Sequence, residues 1–201
     1  MKEVPSLSPE KLASLQEEFI GLLRSTQREG IDDLIDWLCS KTDFFTAPAS
    51  AQYHGAFIGG LVTHSLAVYK YLRNFTKTLP DLGEDTLIIT GLLHDLCKVN
   101  FFTRQTRNVK IPGEKRWEEE ESFGIDDRLP MGHGEKSVYL AMKYIPLTDE
   151  EALAIRWHMG GYDDAARAYV GGKEQSNAYH AYPFAAALNI ADMYVTYLLN
   201  Q

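Results

Sequence analysis

At 201 residues the chain is long enough to bury a sizeable core, and the usual length prior gives one domain. A composition that is 45% hydrophobic and 24% charged excludes a disordered or low-complexity chain. With 28 acidic against 20 basic residues the formal charge is -8, which repels polyanions at long range and leaves duplex DNA no electrostatic footprint.

Nothing near the N-terminus reads as a basic region followed by an apolar stretch and a cleavage site. No apolar run reaches the roughly 18 to 20 residues that a membrane span needs. A cytoplasmic protein with no membrane partner is expected. Its two cysteines, Cys39 and Cys97, are then expected to be reduced, buried thiols and not a metal pair.

Ser8 followed by Pro9 predicts a helix N-cap with proline in the first turn, and Leu12, Leu15, Phe19, Leu22 and Leu23 recur behind it at helical spacing. Ile31, Leu34, Ile35 and Leu38 predict a second short amphipathic helix, broken by the run from Ser40 to Ser50. A long helix is predicted from about Gly60 to Thr76, carrying His64 and ended by Pro80 and Gly83. Thr86 to Val99 is apolar on almost every side, so it reads as a central buried helix with His94 and Asp95 near its end.

Periodicity is lost between Lys98 and Met131, where the turn sequence Ile111-Pro112-Gly113-Glu114-Lys115 lies between two extended pieces and predicts a hairpin or flap. Gly134 opens another helix through Tyr144. Thr148 and Glu151 form a capping box that starts a helix ending near His158, where Gly160 and Gly161 stop it. Asp163 to Asn177 is polar and glycine-containing and reads as a loop or short helix. A final helix is expected from about Pro183 to Leu199. Six or seven helices around one core, with one irregular insertion, is the architecture this pattern supports.

Chemistry concentrates at a few places where a helical core should tolerate no charge. His94 and Asp95 sit inside Gly91-Leu92-Leu93-His94-Asp95-Leu96, and Asp192 lies beside the Leu188, Ala191 and Val195 stripe of the last helix. An ionised carboxylate so placed is destabilising by several kcal/mol unless it is paired or bound to a cation. Imidazole nitrogens with carboxylate oxygens suit Zn, Mn, Fe, Ni or Co, and the lack of paired cysteines argues against a structural zinc site. An isolated His-Asp dipeptide is weak evidence, and satisfied core polar residues would look the same.

Taken together, His64, His94-Asp95, His133, His158 and Asp192 stand in an order that resembles the HD-domain phosphohydrolases. The surrounding wording is similar too, in Gly59-Gly60-Leu61-Val62-Thr63-His64, in Gly91 to Lys98 and in Gly132 to Ser137. The resemblance covers roughly residues 50 to 200. It implies an all-α fold, a single HD-domain helical bundle with an irregular or hairpin insertion between the HD dipeptide and the next histidine. Residues 1–50 would be an N-terminal helical scaffold packed on that domain, and 51–201 its core.

The resemblance further implies that His64, His94, Asp95 and Asp192 hold one divalent transition metal, and that His133 and His158 hold a second with Asp95 as the bridge. Two such cations activate a water for in-line attack on phosphorus and neutralise charge on the phosphoryl oxygens. Asp95 and Lys98 are the expected catalytic pair, since Lys98 matches the lysine that follows the HD dipeptide and can orient a phosphate. Cys97 stands where the family usually has glycine, and Met159 where several binuclear members have a second histidine, so one or two metals per chain stay open.

The expected partner is a small phosphorylated, nucleotide-like substrate, a phosphomonoester or phosphodiester. A metal-binding nucleotide sensor with little turnover is the alternative, as is an HD-type ribonuclease, against which the acidic charge weighs. Arg104, Arg107, Lys110, Lys115 and Arg116 are candidates to grasp the substrate from the insertion, although Glu118 to Glu121 can pair with them locally. His54 is an equally balanced candidate for a place over the site, and His180 is not expected to be a ligand. Trp117 and Tyr162 are candidates to stack a base, with packing the commoner fate of aromatic rings. A half-buried amphipathic helix accounts for Tyr179, Tyr182, Tyr194 and Tyr197 without a partner surface.

Overall fold

The computed structural model describes residues 2–78 and 82–200. Helix α1 spans Pro9–Ser25 and begins as its sequence requires, with the Ser8 hydroxyl accepting from the Lys11 amide. It buries Leu15, Phe19 and Leu23. Helix α2, Ile31–Lys41, lays Leu34, Ile35 and Leu38 against the same core. Cys97 is buried, but Cys39 is exposed on the outer face of α2, which corrects the expectation of two buried thiols. Phe19, Phe44 and Phe45 pack in tilted and edge-to-face pairs with ring centroids 4.8 to 5.6 Å apart and join these first helices to the central ones in one apolar cluster.

Helix α3, Gly60–Phe75, passes into a short 3-10 turn at Thr76–Thr78, and Pro80 lies outside the described residues. Helix α4, Glu84–Leu93, is the centre of the molecule: every residue from Leu87 to Leu93 is buried. Each leucine or isoleucine so buried contributes about 1.5–3 kcal/mol of apolar transfer free energy. The two helices touch at Gly91, where an added Cβ would stand 2.7 Å from the Tyr69 Cα, so only glycine lets the backbones come this close.

The sequence pattern runs the central helix on to Val99, and here the structure differs. Helix α4 stops at Leu93, His94 caps it, Asp95 takes φ -103 and ψ 23, and Leu96–Lys98 form a 3-10 turn. A helix that is apolar all round carries no boundary in its periodicity, and the break turns out to lie at the two polar residues.

Strands β1, Phe102–Lys110, and β2, Trp117–Ile125, form an antiparallel hairpin with Phe102 opposite Ile125 and Lys110 opposite Trp117. The fold is mostly helical, and the expected insertion is an ordered two-stranded hairpin. Backbone hydrogen bonds between Lys2 and the outer strand, 2.9 and 3.3 Å long, fasten the chain's first residues to it.

Helix α5 spans His133–Ala141 and α6 spans Asp149–Trp157, the latter opened by the capping box of Thr148 and Glu151. Glu151 is fully buried and also receives Arg28 at 2.5 and 2.8 Å, which ties the entrance of α2 to α6. Gly134 faces the Arg156 carbonyl so closely that a side chain there would displace α5 from α6. Helix α7, Tyr169–Ala181, occupies the segment read as a loop or short helix, and α8, Pro183–Tyr194, ends in a π-helical turn at Val195–Leu199. Among the described residues no helix is long and apolar enough to cross a membrane.

Candidate metal centre

Two histidines one residue beyond a helix end are oriented by the same local device. His94 caps α4 and its Nδ1 donates to the Gly91 carbonyl at 2.9 Å; His158 caps α6 and its Nδ1 donates to the Ile155 carbonyl at 2.6 Å. A carbonyl only accepts, so Nδ1 carries the proton in each ring, and the neutral ring offers a lone pair at Nε2. Both Nε2 atoms point at one carboxylate. His94 Nε2 lies 3.4 Å from Asp95 Oδ2, and His158 Nε2 lies 3.5 Å from Asp95 Oδ1.

Asp95 divides the surrounding donors between its two oxygens. Oδ2 faces His94, His64 Nε2 at 3.6 Å and Lys98 Nζ at 2.7 Å; Oδ1 faces His158 and His133 Nε2 at 2.8 Å. On the first side His64 Nε2 is 3.1 Å from Asp192 Oδ1 and 3.3 Å from His94 Nε2. His64, His94, Asp95, His158 and Asp192 are all buried, while His133 keeps 30% of its side chain exposed.

This donor set fits a cation. Imidazole nitrogens and carboxylate oxygens converge here, some at hydrogen-bond distance and others, His64, His94 and His158 around Asp95, at 3.4 to 3.6 Å. The His158 Nε2 atom is buried with no hydrogen-bond partner, an arrangement that costs free energy unless something electrophilic lies before it. His64, His94 and Asp192 place ligand atoms within 4.8 Å of one another, as do His94, Asp95 and His158. Asp95, Cys97 and His133 make a third such group, in which the Cys97 sulfur lies 3.4 Å from both His133 ring nitrogens.

The electrostatics concentrate negative charge at the two acids. Burial alone would raise the Asp95 carboxyl, but Lys98 and His94 beside it and the hydrogen bond from His133 hold it well below the usual carboxylate range. Burial likewise opposes ionisation of Asp192, and the hydrogen bond with His64 overcomes it. Burial, reinforced by Asp95, pushes the Cys97 thiol up to about 12, so in this environment it is a neutral thiol. Lys98 is raised: its burial is outweighed by Asp95.

The HD domain family model matches residues 61–192, a range that opens just before His64 and closes on Asp192. The chain belongs to the HD domain family. No curated protein and no solved structure matches it.

Within this HD domain all six residues expected as ligands come together, although they lie on five separate helices or helix ends. A cavity of about 500 Å³ opens over them, reached by Asp95, Lys98, His133 and Asp192. His54 also lines it, its ring 5.1 Å from that of His64. Burial, with Lys98 and His64 nearby, lowers His54 to about 4, so it faces the cavity as a neutral ring.

The basic residues of the hairpin do not reach this cavity. Arg104 pairs with Glu121 at 3.4 Å, Arg107 with Glu120 at 3.8 Å and Arg116 with Glu114 at 2.8 Å, while Lys110 and Lys115 are exposed. Only the base of the insertion, Phe101, Phe102 and Ile125, borders the HD-domain cavity. Trp117 is at the far end of the hairpin and His180 is exposed in the last turn of α7. Two contributors escaped the sequence reading. Asn189 donates to the His158 carbonyl at 2.5 Å, one helical turn before Asp192 on the same face of α8, and Tyr197 lines the cavity beside Tyr162. A polar residue three positions before a buried acid was the available signal for Asn189.

Proposed function

We propose that the chain is a metal-dependent hydrolase of a phosphomonoester or phosphodiester in a small nucleotide-like molecule. The single observation that carries this reading is the shared Asp95 carboxylate, with His64 and His94 at one oxygen and His133 and His158 at the other. His64, His94, Asp95 and Asp192 would hold one divalent cation, and His133 and His158 a second with Asp95 in common. Bound there, Mn, Fe, Ni, Co or Zn supplies Lewis acidity and makes water acidic enough to attack phosphorus near neutral pH.

The chain's own groups do the rest. Lys98 reaches from the 3-10 turn to the cavity wall, where its ammonium orients a phosphoryl oxygen and stabilises the charge that grows on it. His133 is the most open of the ligand candidates, so it stands where substrate or solvent meets the second cation's place. Gly91 and Ile155 fix the two capping histidines through their carbonyls, and Asn189 anchors the second from behind. A cavity of about 500 Å³ leaves room for a small ester and suits a metabolite better than a nucleic acid duplex, in keeping with the acidic net charge.

A panel of phosphorylated metabolites, offered to protein loaded separately with Mn, Co, Ni, Mg and Fe, tests the reading. Release of phosphate, or cleavage of a diester, that requires one of these metals is the expected outcome. Metal-loaded protein that binds nucleotides and turns none over contradicts it and supports a sensor.

A further inference from the structure

The cavity over the candidate metal centre is lined both by charged or metal-ligating groups, Asp95, Lys98, His133 and Asp192, and by uncharged ones, Met159, Tyr162, Met193 and Tyr197. Beyond them a second cavity of about 430 Å³ continues along α8 past Ile190, Tyr194 and Leu198. Tyr162, Met193 and Tyr197 line both spaces, so they stand at the junction.

Chain connectivity fixes how far these rings lie from the ligands. Tyr162 ends the short 3-10 turn that follows His158, and Tyr197 lies on the π-helical turn that follows Asp192. Asp192, Met193, Thr196 and Tyr197 all line the cavity. The two segments that deliver a ligand on each side of the centre therefore also deliver the two rings.

The rings are set as stacking surfaces and not as core. Their centroids are 6.1 Å apart with planes inclined by 30°, yet Tyr162 is 51% and Tyr197 61% exposed. Large aromatic surfaces left open beside a polar catalytic cleft mark a place where a ligand covers them. The two rings lie against each other, and their solvent-facing sides offer flat surfaces that match a planar partner better than a flexible aliphatic one, because aromatic faces stack with little conformational freedom to lose.

We propose that Tyr162 and Tyr197 form an aromatic subsite that receives the heterocycle of a nucleoside phosphate, with its phosphate at Lys98 and the cations that the His/Asp cluster would hold. This rests on the hydrolase reading above for the placement of the phosphate. Stacking uses the face of a base, which every base has, so the subsite selects nucleotides as a class and discriminates weakly among the bases. Tyr162 and Tyr197 are thus specificity-determining residues, outside the groups that touch phosphorus.

The test measures binding and turnover separately. Non-hydrolysable phosphonate analogues of the four common ribonucleoside 5′-monophosphates, of ribose 5-phosphate and of hexyl phosphate are titrated by calorimetry into Mn-loaded protein, and hydrolysis of the parent phosphates is followed with the same protein. The nucleotides are expected to bind about tenfold or more tighter than ribose 5-phosphate and hexyl phosphate. Tyr162→Leu and Tyr197→Leu should each remove most of that preference, acting on KM more than kcat, while Tyr162→Phe and Tyr197→Phe keep it. Ribose 5-phosphate should bind all five proteins alike.

Nucleotides that bind no better than ribose 5-phosphate overturn the subsite, as does a preference that survives both leucine variants. Hexyl phosphate bound as tightly as the nucleotides makes the region a general apolar pocket and also overturns it. A nucleotide preference that responds to the leucine variants, in a protein that hydrolyses nothing, upholds the subsite and contradicts only the hydrolase reading.

Discussion

The buried His/Asp cluster and the Phe102–Ile125 hairpin both concentrate charge, and they dispose of it in opposite ways. On the hairpin, arginines lie across from or beside glutamates, exposed to water and matched within the same two strands. Such pairs are worth about 0–1 kcal/mol and need nothing further. In the cluster, two carboxylates and four imidazoles converge from five helix segments, and at least one nitrogen, His158 Nε2, meets no donor. Charge satisfied by its own neighbours tells of solubility; charge gathered from distant segments and left incomplete tells of a ligand.

Removing the shared carboxylate should produce the largest effect. Asp95→Ala is expected to lower turnover by about three orders of magnitude or more and to reduce bound metal, because both sides of the centre lose a ligand. Initial rates and elemental analysis on the same preparation check it, and a variant within tenfold of wild type would erase the distinction between cluster and hairpin.

His158→Ala sharpens the picture inside the cluster. With two cations it should lose about one equivalent of metal, keep the other, and lower kcat about a hundredfold with little change in substrate affinity. Unchanged metal content in this variant excludes the binuclear arrangement even if activity falls, and leaves His158 a role in proton transfer or phosphate contact.

How much of this was legible beforehand differs between the same two regions. The residues of the cluster stood out because a histidine or aspartate in an apolar stripe is costly wherever it stands, and Ser8, Pro9, Thr148 and Glu151 wrote their helix starts into local chemistry. The stop of α4 at Leu93 was not readable. Its apolar surroundings give no periodic cue, and the boundary is set by His94 turning back on Gly91 while Asp95 leaves the helical conformation.

Helix α7 was hidden for another reason: Gly171, Gly172 and its polar residues have weak helical preference, and tertiary contacts override it. Among these the Tyr179 hydroxyl donates to the Trp157 carbonyl at 2.9 Å, and Ala178 is buried. The hairpin was foreseen as a break in helical pattern, but its charge was ambiguous, since basic residues that grip a substrate and basic residues that pair with glutamates have the same composition. Only the register, with Arg107 opposite Glu120, separates them.

Smaller effects probe the scaffold and then the hairpin. Gly91→Ala should destabilise the fold by about 1–3 kcal/mol in urea unfolding, since the new methyl meets the Tyr69 backbone and pushes apart the helices that carry His64 and His94. Unaltered stability would mean that the α3 and α4 contact is looser than described. Least of all, the double variant Arg104→Ala and Arg107→Ala should keep kcat/KM within about twofold, because these side chains answer to their own glutamates. A large rise in KM would return the hairpin to the substrate site.

The metal content of the purified wild-type protein tests the central claim most directly. The cluster of His64, His94, Asp95, His133, His158 and Asp192 predicts about one to two equivalents of transition metal per chain. Protein that carries none, and that fails to take up Mn, Ni, Zn or Fe at micromolar concentration, would contradict it.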